Sequence, residues 1–193
     1  KRQGTNRHPS QSGGTRRRME SDEELMNRVA VGDGEALASL LERHSGRVHG
    51  YLLRYTRSSA DADDLLQETW VRVARFARRF DAARRFRTWL YGIATNLARD
   101  WLRRNRTRES GLHGARGEAS LAPPEEAGPG ERRELQERVD GLPERMREVV
   151  LLRYFAGMNE AEMAASLGIA QGTVKSRLHT ALKKLRDGYG VVQ

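Results

Sequence analysis

The 193-residue chain has no cysteine, only 6% aromatic residues and no long apolar run. Without cysteine it cannot form a disulfide, a thiolate zinc site or a thiol nucleophile, and it cannot itself sense thiol redox chemistry. No stretch approaches the roughly 18 consecutive apolar residues of a membrane-spanning helix, and the mean hydropathy is −0.76. The basic N-terminus has no apolar segment after it, so we predict no secretory signal. These absences predict a soluble, cytoplasmic protein with modest cores and no membrane insertion.

Charge is abundant instead, and it is unevenly distributed along the chain. The net charge is +9 and the isoelectric point is about 10.5. Residues 71–108 contain 12 arginines and 2 aspartates, whereas residues 20–70 contain 11 acidic and 5 basic residues. Because a solvated surface usually mixes its signs, these blocks predict different partners for neighbouring faces, one of them anionic. Chance clustering of arginine is the alternative interpretation of the basic block.

Hydrophobic periodicity predicts an all-α chain with two small helical domains joined by a flexible linker. Residues 1–20 are basic and almost devoid of apolar side chains, which predicts a disordered arm. Residues 21–105 contain four segments of helical period, and residues 132–188 contain a second helical unit. Residues 106–131 are polar, acidic and rich in glycine and proline, as in a linker. Residues 189–193 form a tail, and no stretch alternates with the period of a strand.

A helix-turn-helix pattern lies in the second unit. Asn159 with Glu162 has the spacing of a capping box, as Ser21 with Glu24 has at the start of the first helix. A helix over 159–167 is followed by a Gly168-containing turn and by a helix over 172–186. The apolar side of that last helix consists of Val174, Leu178, Ala181, Leu182 and Leu185.

The opposite side of the last helix is basic, with five basic residues and no acidic residue over 173–186. Residues near the N-terminus of a recognition helix reach base edges in the major groove, which makes Lys175, Ser176 and His179 candidates for reading sequence. The residues placed for phosphates further along are Lys183, Lys184 and Arg186. An ordinary amphipathic helix with a solvated basic side is the alternative, but the combined features favour DNA recognition.

The fourth predicted helix, from about Arg84 to Arg104, has two distinct faces. Its apolar face consists of Phe86, Leu90, Ile93, Leu97 and Trp101. Its polar face consists of Thr88, Gly92, Thr95, Asn96, Arg99 and Arg103, and Trp89 borders it. Arginine neutralises phosphates, an aromatic ring stacks on an unpaired base and asparagine can bond a base edge, so this face suits single-stranded or distorted nucleic acid. The alternative places Trp89 in the core and leaves Asn96 merely solvated.

Acidic residues crowd the start of the third predicted helix: Asp61, Asp63, Asp64 and Glu68. They either stabilise the helix dipole, by about 0.3–1 kcal/mol each, or form a docking face for a basic protein surface. A metal-dependent nuclease site is a third interpretation, but no convergent histidine or second carboxylate cluster completes it. We therefore expect no metal, no cofactor and no catalytic residue.

Three motifs, in this order, resemble those of bacterial sigma factors. DADDLLQETWVRV at 61–73 resembles sigma region 2.2, FRTWLYGIATNLARD at 86–100 resembles regions 2.3 and 2.4, and GIAQGTVKSRLH at 168–179 resembles region 4.2. The linker lies where larger sigma factors hold a third domain. This two-domain plan is similar to that of the extracytoplasmic-function group, and the resemblance covers about residues 22–188.

The resemblance implies two partners, core RNA polymerase and promoter DNA. The residues that would face the clamp helices of the polymerase β′ subunit are Asp64, Gln67 and Glu68, and the β flap is the second expected polymerase contact. Many members of this group are held inactive by an anti-sigma protein, so we expect such a partner as well. Ala170 departs from the pattern, because the family often has serine or threonine before the recognition helix.

The resemblance also implies which promoter element each basic face reads. Asn96 matches the residue that holds a base flipped from the non-template strand of the −10 element. The residues that would accompany it in −10 recognition and melting are Trp89, Arg99 and Arg103. The −35 element would be read by Lys175, Ser176, Arg177 and His179.

We therefore expect a transcription initiation factor that binds core RNA polymerase, recognises a promoter and opens the −10 strands. The main alternative is a two-domain helix-turn-helix regulator, which would bind duplex DNA alone and would not need the arginine-rich face. The enzyme alternative is a Mg²⁺-dependent nuclease or recombinase, which would cleave DNA strands.

Overall fold

The computed structural model describes residues 20–109 and 129–187. In these two ranges the chain forms eight α-helices, a short 3-10 turn and no β-strand, which confirms the all-α prediction. The helices are α1 (Asp22–Ala30), α2 (Gly34–Thr56), α3 (Ser59–Phe76), α4 (Phe86–Glu109), α5 (Pro129–Asp140), α6 (Glu144–Tyr154), α7 (Glu160–Leu167) and α8 (Gln171–Asp187). Helices thus extend into both ends of the predicted linker. The middle of that linker, the tail and the predicted arm before Glu20 lie outside the described residues.

Helices α1–α4 form the first domain, and local side chains fix three of their four starts. Ser21 forms the predicted capping box with Glu24, Asp33 caps α2, and Ser58 caps α3. Apolar side chains from all four helices meet in one core. Its fully buried aromatic residues are Tyr51, Tyr55, Phe86 and Tyr91.

Helix α4 begins two residues later than predicted, because its first N–H group is capped from another helix. The backbone N–H of Phe86 donates to Glu23 Oε1 at 2.9 Å, across 63 residues of sequence. Such a cap leaves no local signal, so the sequence placed the start at Arg84. The long-range bond also ties α4 to α1.

Helices α5–α8 form the second, smaller domain. Asn159 and Glu162 form the predicted capping box at the start of α7, and Gly168 ends that helix in the left-handed conformation at φ 65°. Val174 and Ala181 of α8 are fully buried in this domain. The tight turn at Gly168 sets α8 against α6 and α7, as a helix-turn-helix requires.

The second domain packs directly on the first. Helix α6 contacts α2, and α7 contacts α4 along the face that the sequence marks as polar and basic. A polar cavity of about 360 Å³ lies at the junction, lined by residues of α2, α3, α4 and α6, by Asp140 at the end of α5 and by Leu142 between α5 and α6. The chain therefore places acidic side chains of the second domain beside the arginines of α4.

Candidate nucleic-acid interface

Helix α8 presents its basic side to solvent. The exposed residues of that side are Lys175, Ser176, His179, Lys183, Lys184 and Arg186, and Arg177 is half-buried. The hydroxyl of Ser176 donates to the backbone oxygen of Thr173 at 3.1 Å, which leaves its acceptor lone pairs free for a ligand. The structure thus brings all the candidate −35 and phosphate residues onto one exposed helix.

The apolar side of α8 is narrower than the sequence pattern indicates. Leu182 was expected to pack with Val174 and Ala181, but it is 38% exposed. At 100° per residue Leu182 lies about 80° from Val174 around the helix, at the edge of the apolar side. Leu178 and Leu185 are partly buried and pack on the core.

Asn96 is exposed on α4, and the structure places two candidate arginines on the same side. Asn96 Oδ1 lies 3.5 Å from Arg99 Nη1. Arg103 is exposed one turn further on and pairs with Asp100 at 3.0 Å. The amide of Asn96 is therefore accessible to a nucleotide, as a base-binding role requires.

Trp89 lies at the edge of the first-domain core. Its ring centroid is 5.2 Å from that of Phe80 and 6.3 Å from that of Phe86, and the side chain is only partly buried. Both interpretations of Trp89 describe part of it, because the ring packs on the core and still reaches the surface.

Two threonines of the predicted polar face belong to the core instead. Thr88 is 8% exposed and Thr95 is 1% exposed. The Thr95 hydroxyl lies 2.9 Å from the hydroxyl of Tyr51, and both are buried. The helical wheel placed these residues on the face opposite Phe86 by their angle around the helix, but a hydrogen-bonded threonine such as Thr95 can be buried.

Arg99 is held by a carboxylate of the second domain. Its Nε lies 2.6 Å from Glu148 Oε1 and its Nη2 lies 2.7 Å from Glu148 Oε2, in a bidentate pair. Glu148 Oε1 also accepts from the hydroxyl of Tyr55 at 3.0 Å. The hydrogen bonds to Glu148 raise the pKa of Arg99, although burial opposes them.

A second ion pair joins α4 to α7. Both carboxylate oxygens of Glu162 lie 3.1 Å from Arg87 Nη2. Burial raises the pKa of Glu162, but the backbone N–H of Asn159 and the guanidinium of Arg87 outweigh it, so the net pKa is lowered. Between the two ion pairs, a Cβ at Gly92 would lie 3.1 Å from the backbone oxygen of Ser166. Because Gly92 has no side chain, the backbone of α7 can approach α4 closely at this point.

The sequence did not identify Glu148 or Tyr55 as functional residues. Glu148 lies in a mostly buried helix, and nothing in its neighbourhood distinguishes it from a surface glutamate. The sequence feature that could have indicated a role for Glu148 is charge. An arginine-rich block requires anionic partners, and the second domain contains carboxylates that can pair with it. Arg57 with Asp140 at 3.0 Å and Arg106 with Glu144 at 3.2 Å follow the same pattern.

The acidic start of α3 divides into two groups. Asp61 Oδ1 accepts from Trp101 Nε1 at 2.9 Å, and Asp63 Oδ1 lies 3.1 Å from His49 Nε2. These two aspartates therefore help to hold the first domain together. Within the two described ranges, no group of three or more acidic or histidine residues is arranged to hold a metal ion.

The other group forms an exposed face on α3. Asp64, Gln67 and Glu68 are all exposed, and Glu68 pairs with Arg72 at 2.9 Å. Val71, on the same side, is 53% exposed. None of the helices in the described parts of the chain has the length and hydropathy needed to cross a membrane.

Two family matches cover most of the chain. Residues 40–108 match Sigma-70 region 2, and residues 132–185 match Sigma-70 region 4. The first match contains α3 and α4, and the second contains the helix-turn-helix. The order and spacing of the two matches agree with those of the three sequence motifs.

Two known sigma factors are similar to this chain over more than 90% of their own length. The chain is 35% identical over 171 residues to RNA polymerase sigma factor CarQ of Myxococcus xanthus, covering 87% of this chain and 97% of CarQ. It is 33% identical over 161 residues to the extracytoplasmic-function (ECF) RNA polymerase sigma factor SigL of Mycobacterium tuberculosis H37Rv, covering 82% and 91%. Its fold is similar to that of CnrH in complex with the cytosolic domain of CnrY, with a TM-score of 0.70, 26% identity and coverage of 90% and 100%.

The RpoE structure in complex with the anti-sigma factor NepR from Bartonella quintana has the same fold, with a TM-score of 0.68, 21% identity and coverage of 81% and 98%. Family matches in both domains and relatives above 30% identity along most of the chain agree with the motifs and with the fold. This chain belongs to the extracytoplasmic-function group of RNA polymerase sigma factors, the transcription initiation factors that direct core polymerase to promoters.

Proposed function

We propose that the first domain, residues 21–105, binds core polymerase and the opened −10 strand, and that residues 132–188 bind the −35 duplex. The chain supplies no chemistry of its own, because the polymerase makes the RNA. Since it acts on that enzyme, it works in the cytoplasm. The predicted linker, 106–131, leaves the distance between the two promoter contacts to the polymerase.

The exposed basic side of α8 supports −35 recognition more directly than any other observation. Lys175, Ser176 and His179 lie in its first half, where a recognition helix meets base edges. The phosphate-contacting residues are Lys183, Lys184 and Arg186, with Arg177 between the two groups. A duplex-binding regulator would share this helix, but it would not need the sigma region 2 match that covers residues 40–108.

The exposed amide of Asn96 supports capture of a flipped −10 base. Extruding a base costs a few kcal/mol, which a base-edge hydrogen bond and a stacking contact offset. Arg99 and Arg103 are placed to neutralise the strand's phosphates, and the accessible part of Trp89 is placed to stack on a base.

The exposed face of Asp64, Gln67 and Glu68 is our proposed contact with the β′ clamp helices, and the second domain is our proposed contact with the β flap. We also propose control by an anti-sigma factor. The structural relative RpoE has been crystallised with one, the anti-sigma factor NepR.

The experiment that tests this function is transcription by purified core polymerase with this chain as the sole initiation factor, followed by start-site mapping. We expect one defined start site on its promoter. Asn96→Ala should reduce open-complex formation by about tenfold, since a base-edge pair is worth ~1–3 kcal/mol, while −35 duplex binding stays unchanged. Asn27→Ala is the matched control, because Asn27 is exposed on α1. Random initiation, or equal losses of opening and duplex binding in Asn96→Ala, would contradict the proposal.

A further inference from the structure

We propose that the polar cavity at the domain junction is a binding site for a small organic carboxylate, which Arg147 holds. The cavity has a volume of about 360 Å³, which lies within the range of about 300–1,000 Å³ that is usual for small-molecule sites. Arg147 and Glu144 line it from the second domain, and Tyr55, Trp101 and Arg106 line it from the first. The inference is independent of the promoter roles proposed above.

The first support is that Arg147 is a buried cation without an anionic partner. The residue is 8% exposed, and its Nε is buried without a hydrogen-bond acceptor. Among the described residues, none accepts a hydrogen bond from its guanidinium or forms an ion pair with it. Because a buried charge is costly unless it is paired, an anion that enters the cavity gains a partner that the chain itself does not supply.

The second support is the contact that holds Arg147 in place. Its Cζ lies 5.2 Å from the ring centroid of Tyr55, and the hydroxyl of the same tyrosine is fixed by its bond to Glu148. A cation–π contact uses none of the N–H donors of the guanidinium. Those donors form a planar fork that matches the two oxygens of a carboxylate.

The other charged residues of the lining are already compensated. Asp140 pairs with Arg57 at 3.0 Å, and Glu144 pairs with Arg106 at 3.2 Å. Each of these pairs is neutral as a unit.

The remaining carboxylate of the lining, Asp61, is stabilised without a basic partner. It lies in the first turn of α3, where the helix dipole favours a negative charge, and its Oδ1 accepts from Trp101 Nε1 at 2.9 Å. The lining therefore has one uncompensated positive charge, that of Arg147. A carboxylate neutralises it one for one, whereas a doubly charged phosphate would leave an excess negative charge among three carboxylates.

A small solute can enter the cavity beside Arg106. This side chain is 64% exposed, and its ion pair with Glu144 lies at the solvent side of the lining. Since residues of both domains form the walls, a bound carboxylate contacts both and stabilises the docked chain by mass action.

Nuclear magnetic resonance of the isotope-labelled full chain tests the site through the indole N–H of Trp101. The chain has three tryptophans, and of these Trp101 lines the cavity whereas Trp70 and Trp89 do not. The other two indole signals therefore serve as internal references. The probes are sodium acetate, inorganic phosphate and sodium chloride, compared at equal ionic strength.

We expect acetate to shift the Trp101 indole signal saturably, with a Kd of about 1–10 mM, as suits so small a ligand. The signals of Trp70 and Trp89 should stay in place. Phosphate should bind more weakly than acetate, and chloride should produce no saturable shift.

The variants assign the binding to Arg147. Arg147→Gln should weaken acetate binding by about tenfold or more, because hydrogen bonds to charged groups are the strong ones. Arg147→Lys keeps the charge but lacks the planar fork, so its affinity should fall between the two. Arg145→Gln is the matched control, because it makes the same change at an exposed position on the same helix. It should bind acetate like the unmodified chain.

Three results would each overturn the proposal: no saturable shift of Trp101 in the unmodified chain, phosphate binding as tight as that of acetate, or equal acetate affinity in Arg147→Gln and the unmodified chain. If Arg147→Gln loses the spectrum of a folded chain, Arg147→Lys decides the question. Acetate affinity in Arg147→Lys equal to that of the unmodified chain would then count against the carboxylate site.

Discussion

The paired hydroxyls of Tyr51 and Thr95 show how one buried hydrogen bond supports the candidate −10 face. Thr95 precedes the exposed Asn96, so this bond anchors the segment of α4 that presents the amide. Thr95→Val leaves the Tyr51 hydroxyl buried without a partner, which should lower the unfolding free energy of the first domain by about 1–3 kcal/mol. Urea unfolding followed by tryptophan fluorescence measures this, since all three tryptophans lie in α3 and α4.

The double variant Tyr51→Phe with Thr95→Val is the control for this loss. Removing both partners leaves no orphaned polar group, so it should cost less than the sum of the single changes. Additive losses would mean that the two hydroxyls do not interact.

Residue types alone could not separate Thr95 from Asn96. Both are polar, they are adjacent, and the sequence assigned both to one face. The structure buries the threonine and exposes the asparagine because 100° of rotation separates them and the core boundary runs between. The position of that boundary depends on α2, whose Tyr51 supplies the partner, and a wheel of α4 contains no information on α2.

Among the helices, local signals predicted starts and stops well where the capping group is a neighbour in sequence. Both capping boxes, at Ser21 and at Asn159, and the stop at Gly168 were predicted from spacing and are confirmed. The start of α4 was not, because its cap comes from Glu23 on another helix. A helix end can therefore be predicted from the sequence when its capping residue is a sequence neighbour, but not when the cap comes from another helix.

The start of α8 lacks a side-chain cap. The residue before α8 is the exposed Ala170, whose backbone oxygen accepts from Thr173 but whose methyl group can bond nothing. Ala170→Ser should supply the missing acceptor and stabilise α8 by about 0.5–2 kcal/mol. Hydrogen–deuterium exchange of the α8 amides should slow accordingly.

Ala165→Ser is the control for Ala170→Ser, because it places the same hydroxyl on exposed Ala165 within α7. Serine is a poorer helix former than alanine in a helix interior, so this change should slightly speed exchange. If both substitutions slow exchange equally, the effect is not capping.

Across the whole molecule, the charge blocks predicted an anionic partner for the basic block. They did not predict that carboxylates of the second domain pair with arginines of that block. The sequence separation between Arg99 and Glu148 is 49 residues, and that between Arg87 and Glu162 is 75. No periodicity reports such pairs, since they depend on how the two domains dock. The motifs therefore sufficed for the family and the fold, whereas the pairing of the α4 arginines with carboxylates of the second domain emerged only from the tertiary structure.

Docking through ion pairs makes the shape of the whole chain sensitive to salt. Among the residues that the structure describes, the ion pairs across the junction include Arg57 with Asp140, Arg87 with Glu162, Arg99 with Glu148 and Arg106 with Glu144, and in all of these except the last both side chains are at least two-thirds buried. Raising the ionic strength from about 0.1 M to 1 M shortens the Debye length from about 10 Å to about 3 Å, which weakens the more exposed pairs. Small-angle scattering should therefore show a radius of gyration that increases with salt. The Glu148→Gln chain should already have a larger radius of gyration at low salt, and this radius should increase less with added salt than that of the unmodified chain. A radius independent of salt in both chains would mean that apolar contacts alone hold the domains together.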